Sequence, residues 1–285
     1  MSKEGFGGPK LSIAAVAAIV LFPALLPSSA LAHFQMLYLG GSARMPGGSL
    51  QALLLFTHPY TGGPTMEMGT PEAFYVVHQR GEEGEAEKTD LLPTLEPIQW
   101  KGVENEAAAY IASIPAAQVR SMGDYIFVLE PSPYYEASED KYIQQFTKTV
   151  INLGGVPGNW DQAIGLPAEI LPLNKPYANW KGGVFRGVVL SNGKPVPFAE
   201  IEVEYVNRKP DLATKTWSGD PALEAPTPSL EVLSIRADES GTFAVGLPKA
   251  GWWGVGALDV GPRKRHEGKP LSQDAVIWVE VTDVN

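Results

Sequence analysis

The chain has no cysteine and only four histidines in 285 residues. The first absence excludes disulfides, thiolate metal sites, a cysteine nucleophile and a lipid-modified N-terminal cysteine. Basic residues are scarce as well, 22 against 32 acidic ones, for a net charge of −10. Such a surface disfavours nucleic acid and anionic lipid as partners and is compatible with cations. Beyond residue 32 no apolar run approaches the ~20 residues needed to cross a bilayer. There is no Gly-x-Ser-x-Gly elbow, no Gly-Lys-Ser/Thr loop and no Gly-rich strand-to-helix turn. Serine-hydrolase, P-loop and dinucleotide readings therefore fail at the first step. Carboxylates crowd residues 130–140 (EPSPYYEASED), yet nothing there singles out the acid and base that a glycosidase needs. No enzymatic activity is expected.

What is present starts at the first residues. Lys3 and Lys10 flank the entry to an apolar run from about residue 11 to residue 26, and Ala30-Leu31-Ala32 closes it. Residues 1–32 read as a cleaved signal peptide, and the product as a soluble periplasmic or otherwise extracytoplasmic protein. Cleavage removes two positive charges and one negative charge, leaving −11 on 253 residues. That length suffices for two domains of ordinary size.

Cleavage after Ala32 also makes His33 the first residue. Its free α-amine and imidazole, with ordinary pKa values near 8 and 6.5, can chelate a transition metal from one residue. His58 comes after a predicted core strand in Thr57-His58-Pro59-Tyr60, and Met66-Glu67-Met68 comes eight residues later. Strand ends put side chains on a rim where loops converge. The candidate metal ligands are His33, His58, Met66 and Met68. Amine and imidazole suit nickel, cobalt, copper or zinc, while thioether leans toward soft Cu(I). His58 also reads as a hydrogen-bonded strand cap, and the two methionines as core packing. His78 beside a charged loop is expected to be exposed. His266, among Arg263, Lys264 and Arg265, is dismissed as a ligand.

Gly and Pro (30 and 25) punctuate short β-like runs, with strands predicted over residues 49–56, 73–78, 107–114, 124–130 and 142–153. Only residues 116–122 suggest a helical turn, and residues 80–88 read as a charged hairpin tip. In residues 198–206, Ile201, Val203 and Tyr205 alternate with Glu200, Glu202 and Glu204, a strand with one buried and one wet face. Asn192-Gly193 signals a tight hairpin, and residues 207–229 read as a loop insertion. The expected architecture is all-β, with two antiparallel sandwich-like domains. The N-terminal domain covers 33–176, a connector 177–183, and the C-terminal sandwich 184–285.

Several segments together are similar to one family. They are Ala32-His33-Phe34, Thr57-His58-Pro59-Tyr60 with Met66-Glu67-Met68, Lys88-Thr89-Asp90-Leu91-Leu92-Pro93, residues 123–147 (GDYIFVLEPSPYYEASEDKYIQQFT), residues 187–204 and Ala250-Gly251-Trp252-Trp253-Gly254. They resemble the exported, domain-of-unknown-function proteins encoded with nickel and cobalt uptake systems, called NikK-like. The resemblance implies capture or delivery of Ni²⁺ or Co²⁺ to a membrane-embedded permease of the energy-coupling-factor type. It carries ligation onto His33 and His58. The second half also resembles the transthyretin-like or carboxypeptidase-regulatory sandwich, through Val196-Pro197-Phe198-Ala199 and residues 238–243, a module that is structural rather than catalytic. Two other readings stand beside this one: a histidine-brace copper protein or enzyme, and a structural envelope protein without metal.

Overall fold

The computed structural model describes residues 1, 2, 4, 5, 33–79 and 84–284. The expected signal peptide lies almost wholly outside the described residues, as do residues 80–83 of the expected hairpin tip at 80–88. Leu31–Asn285 forms one compact unit. Among its described residues the regular structure is strand, apart from three single-turn segments at Leu92–Thr94, Ala116–Gln118 and Pro228–Leu230. The all-β, sandwich-like expectation holds, and Ala116–Gln118 is the expected helical turn.

A twelve-stranded sheet runs through the centre. Its main path is Val232–Arg236, Glu200–Tyr205, Gly251–Ala257, Lys269–Thr282, Lys141–Leu153, Gly123–Glu130, Ala73–Gln79 and Ala86–Asp90. Successive side chains of a strand point to opposite faces, so these strands feed two cores at once. Tyr125, Phe127 and Leu129 enter one core while Ile126 and Val128 enter the other. The first is closed by a seven-stranded sheet that includes Phe34–Tyr38, Leu50–Thr57, Glu106–Ile114 and Leu95–Lys101. The second is closed by the four-stranded sheet of Ala168–Pro172, Gly183–Ser191, Lys194–Pro195 and Thr242–Leu247. Two sandwiches therefore share their middle layer.

The shared layer departs from the antiparallel expectation. Lys141–Leu153 and Lys269–Thr282 pair in parallel, from Tyr142↔Leu271 to Thr149↔Trp278. Both strands are buried on both faces over most of their length, and an open edge on such a strand is a liability. Asn179–Trp180, inside the expected connector, also pairs with Lys269–Thr282. The expected connector is therefore tied to the central sheet by Asn179, Trp180 and Lys181, whose N donates to Thr282 O.

Two further expectations are corrected. Ile201, Val203 and Tyr205 are buried as their alternation predicts, but Glu204 on the expected wet face is only 1% exposed. The turn after Leu50–Thr57 covers it, and Tyr60 N donates to Glu204 Oε1 at 2.7 Å. Burial pushes the Glu204 carboxyl well above the usual range. The insertion at 207–229 is not merely loop. Its Thr216–Ser218 strand joins the first sheet beside Lys101, and Trp217 meets Trp100 edge-on at 5.4 Å. Two indoles burying apolar area there outweigh the loop-forming composition around them.

Candidate metal centre

The position of His33 is set by the strand into which it leads. Phe34–Tyr38 is buried at all five residues and pairs antiparallel with Leu50–Thr57, with Phe34 opposite Thr57. Phe34 is 1% exposed and packs edge-on against Trp278 at 5.9 Å. Gly254 makes room for it, since a Cβ there comes within 2.9 Å of the Phe34 ring. An apolar side chain of this size contributes about 2 kcal/mol by burial, which holds the chain start to the sheet. Gln145 in the central sheet clasps the backbone on both sides of Phe34. Its Oε1 accepts from Gln35 N and its Nε2 donates to His33 O, each at 2.7 Å.

Extending the Phe34↔Thr57 register by one residue brings His33 opposite His58. Their ring centroids lie 4.6 Å apart at 47°. His58 is 4% exposed and sits where the chain turns: Gly62 N donates to His58 O, and Asn207 N to Pro59 O. With the Glu204 bond to Tyr60, the C-terminal half of the chain fixes the backbone that carries His58.

Glu136 completes the group, with Oε2 3.3 Å from His33 Nε2. Burial pushes its carboxyl upward, but hydrogen bonds from Ser138 and the charges of His33 and Lys141 prevail, holding it below the usual range. The His33 imidazole is shifted down, because burial outweighs the attraction of Glu136 and Glu139. A neutral ring near pH 7 is the form that ligates metal. The anion beside Nε2 favours the proton there and leaves Nδ1 as the bare donor. Nδ1 is the nitrogen that can close a six-membered chelate with the same residue's α-amine. Glu136 is thus a positioning carboxylate for the imidazole, the arrangement found behind many ligating histidines.

Both methionines belong to the first hydrophobic core. Met66 is 4% exposed in the first core, opposite Phe56. Met68 is 7% exposed, and its Sδ accepts from Gln35 Nε2 at 3.4 Å. Both are explained by packing. Among the described residues no three His, Cys, Asp or Glu side chains gather as a ready metal cage; the contacts of His33 are pairwise. A site here needs the terminal amine as its additional donor. Residue types fit that role: two nitrogens from His33, one from His58, and a carboxylate behind them.

His78, expected to be exposed, is buried at 8%. Its strand Ala73–Gln79 lies between Gly123–Glu130 and Ala86–Asp90, and its ring stacks on Tyr125 at 4.1 Å and 3°. His266 packs on Tyr142 at 4.6 Å. Glu136 was not distinguishable in the sequence, because it sits in a run of carboxylates; only its three-dimensional contact with His33 marks it.

Solved structures matched by the chain are distant in sequence. The D0-D1 domain of intimin is 10% identical with a TM-score of 0.21, over 85% of this chain and 96% of that one. An E. coli alpha-2-macroglobulin is 11% identical with a TM-score of 0.22, over 88% of this chain and 14% of that one. The Yersinia pseudotuberculosis adhesin InvE is 10% identical with a TM-score of 0.22, over 85% and 58%. Likenesses this loose carry no functional conclusion. Among curated proteins none matches the chain. A family model does match, over residues 30–261, and the chain belongs to that family, the domain of unknown function DUF4198.

Proposed function

We propose that the chain is exported, cut after Ala32, and binds Ni²⁺ or Co²⁺ outside the cytoplasm through His33 and His58. In this reading it is a NikK-like accessory or substrate-binding component that hands the ion to a membrane-embedded nickel or cobalt transporter. It is not an enzyme. The observation that carries the reading is the register of Phe34–Tyr38 on Leu50–Thr57, which sets the His33 ring 4.6 Å from that of His58. The strand that follows His33 is buried at all five residues, which supports an ordered start for the processed chain. The acidic surface, at net −10 before cleavage, favours cation approach.

The test is a titration of Ni²⁺ and Co²⁺ into four proteins: native-terminus, Gly-Ser-extended, His33→Ala and His58→Ala. The extension turns the amine into an amide and should weaken binding at least ~10-fold, as a lost ligand does. His33→Ala should weaken it further, and His58→Ala by a comparable factor. Affinity should fall from pH 7 to about pH 5, as protons compete for amine and imidazole. An extended form that binds as tightly as the native one defeats the proposal. The same donors also suit a T-shaped copper site. Tight Cu²⁺ binding with oxygen-dependent redox turnover, and negligible Ni²⁺ affinity, is the outcome that replaces it.

A further inference from the structure

We infer that His78 anchors a second divalent-metal site, separate from the His33 pair and lying in a polar cavity of about 310 Å³. The cavity lies between the strands Ala73–Gln79 and Ala86–Asp90 and the segment around Ala116–Gln118. His78, Glu87, Thr89, Gln118, Arg120 and Ser121 are among its lining. His78 Nδ1 lies 2.8 Å from the main-chain oxygen of Asp124. A carbonyl only accepts, so Nδ1 carries the proton and Nε2 of the neutral ring is a bare lone pair. That Nε2 is buried without a hydrogen-bond partner, and so is Gln118 Oε1. Buried polar atoms are rarely left so. Glu87 pairs directly with His78 across the strands, which puts its carboxylate on the same face.

The chemistry of these groups selects the ligand. An imidazole nitrogen, an amide oxygen and a carboxylate are all electron-pair donors, and together they suit a borderline divalent ion such as Co²⁺, Ni²⁺ or Zn²⁺. A main-chain carbonyl holding the far nitrogen is the usual support behind a ligating histidine. The ring has no freedom to swing away. Tyr125 stacks flat on one face, and Gly123 lies so close that a Cβ on it comes within 3.0 Å of His78 Cε1. Along Lys141–Leu153, the seven residue steps from Gln145, which holds His33, to Asn152, which pairs with Asp124, span about 23 Å. One ion cannot serve both histidines.

The experiment uses the whole exported chain with a Gly-Ser extension and His33→Ala, which disables the terminal site whatever its metal. Co²⁺ is titrated into it by calorimetry and visible absorption. One Co²⁺ per chain is expected, with binding weakened at least 10-fold by His78→Phe and less by Gln118→Ala. The Phe ring keeps the stack on Tyr125, and circular dichroism with an unchanged melting temperature certifies the fold. Anomalous scattering at the cobalt edge should put the ion about 2.1 Å from His78 Nε2. Absence of stoichiometric binding in the disabled protein, or equal binding by a folded His78→Phe, overturns the inference. Neither result bears on the terminal site, which is read out in the native-terminus protein.

Discussion

His33 and His78 are held in opposite tautomers by opposite means. At His33 a carboxylate side chain faces Nε2 and leaves Nδ1 as donor; at His78 a main-chain oxygen takes Nδ1–H and leaves Nε2. The first suits chelation with the histidine's own amine, the second suits ligation by a lone ring inside a cavity. The first is also the more fragile, because it depends on a protease cutting at one bond and on two side chains from distant loops. The second needs no proteolytic cut: its ring is set by the Asp124 carbonyl and the Tyr125 stack, with Gln118 and Glu87 beside it. Position on the fold, rather than residue type, decides what each imidazole can do.

The largest effect that separates the two regions is expected from Gly123→Ala. Gly123 has φ of +125°, a region that L side chains rarely adopt, and the new Cβ meets the His78 ring. Strain of this kind costs roughly 1–3 kcal/mol, so the melting temperature should drop by several degrees. Co²⁺ affinity of the terminally disabled protein should fall as the ring is displaced. Ni²⁺ binding by the native-terminus protein carrying the same substitution should change little at the His33 site. Equal damage to both sites, at temperatures where the protein is folded, breaks the claim that the two are independent.

A smaller and reciprocal effect is expected from Glu136→Gln. The amide keeps the shape but removes the charge beside Nε2, so the tautomer preference of His33 weakens. Ni²⁺ affinity in the native-terminus protein should fall, by up to ~10-fold, the lower end of what supporting carboxylates contribute. The His78 site should be untouched. If Glu136 were itself a ligand, loss of charge would cost about as much as His58→Ala, and calorimetry on the two variants distinguishes the roles.

How much of this was legible in the sequence depends on the range of the forces involved. Alternation marked Glu200–Tyr205, because burial of Ile201, Val203 and Tyr205 is written at a period of two. Composition marked the all-β class. Parallel pairing of Lys141–Leu153 with Lys269–Thr282 was not legible, since it joins residues more than a hundred positions apart and no local pattern encodes it. The same long reach buried Glu204 under Tyr60, and buried His78 although charged residues come after it. His33 and His58 could be named from the cleavage pattern and a strand end, but their adjacency required the register. Glu136 was hidden because carboxylates are common and only a 3.3 Å contact sets one apart.

The smallest expected effect is the pH dependence of stability without metal, and it tests whether the His33 ring is as enclosed as the packing implies. Burial lowers its pKa in the folded protein below the ordinary 6.5. Between 6.5 and that lower value the unfolded chain binds more protons than the folded one, so stability declines as the pH falls through this window. Above the window the ring is neutral in both states and contributes no pH dependence. The His33→Asn variant keeps the same terminal amine, so the comparison of the two proteins cancels its contribution. Denaturant titrations of metal-free native-terminus protein and His33→Asn at pH 7, 6 and 5 isolate the ring. The parent should lose more stability than the variant on going from pH 7 to pH 5. A parent that gains stability relative to His33→Asn over that range means that Glu136 captures the imidazolium strongly enough to raise its pKa. The ring is then charged at neutral pH, metal must displace a proton as well as water, and the steepest loss of Ni²⁺ affinity moves up to pH 7 or above.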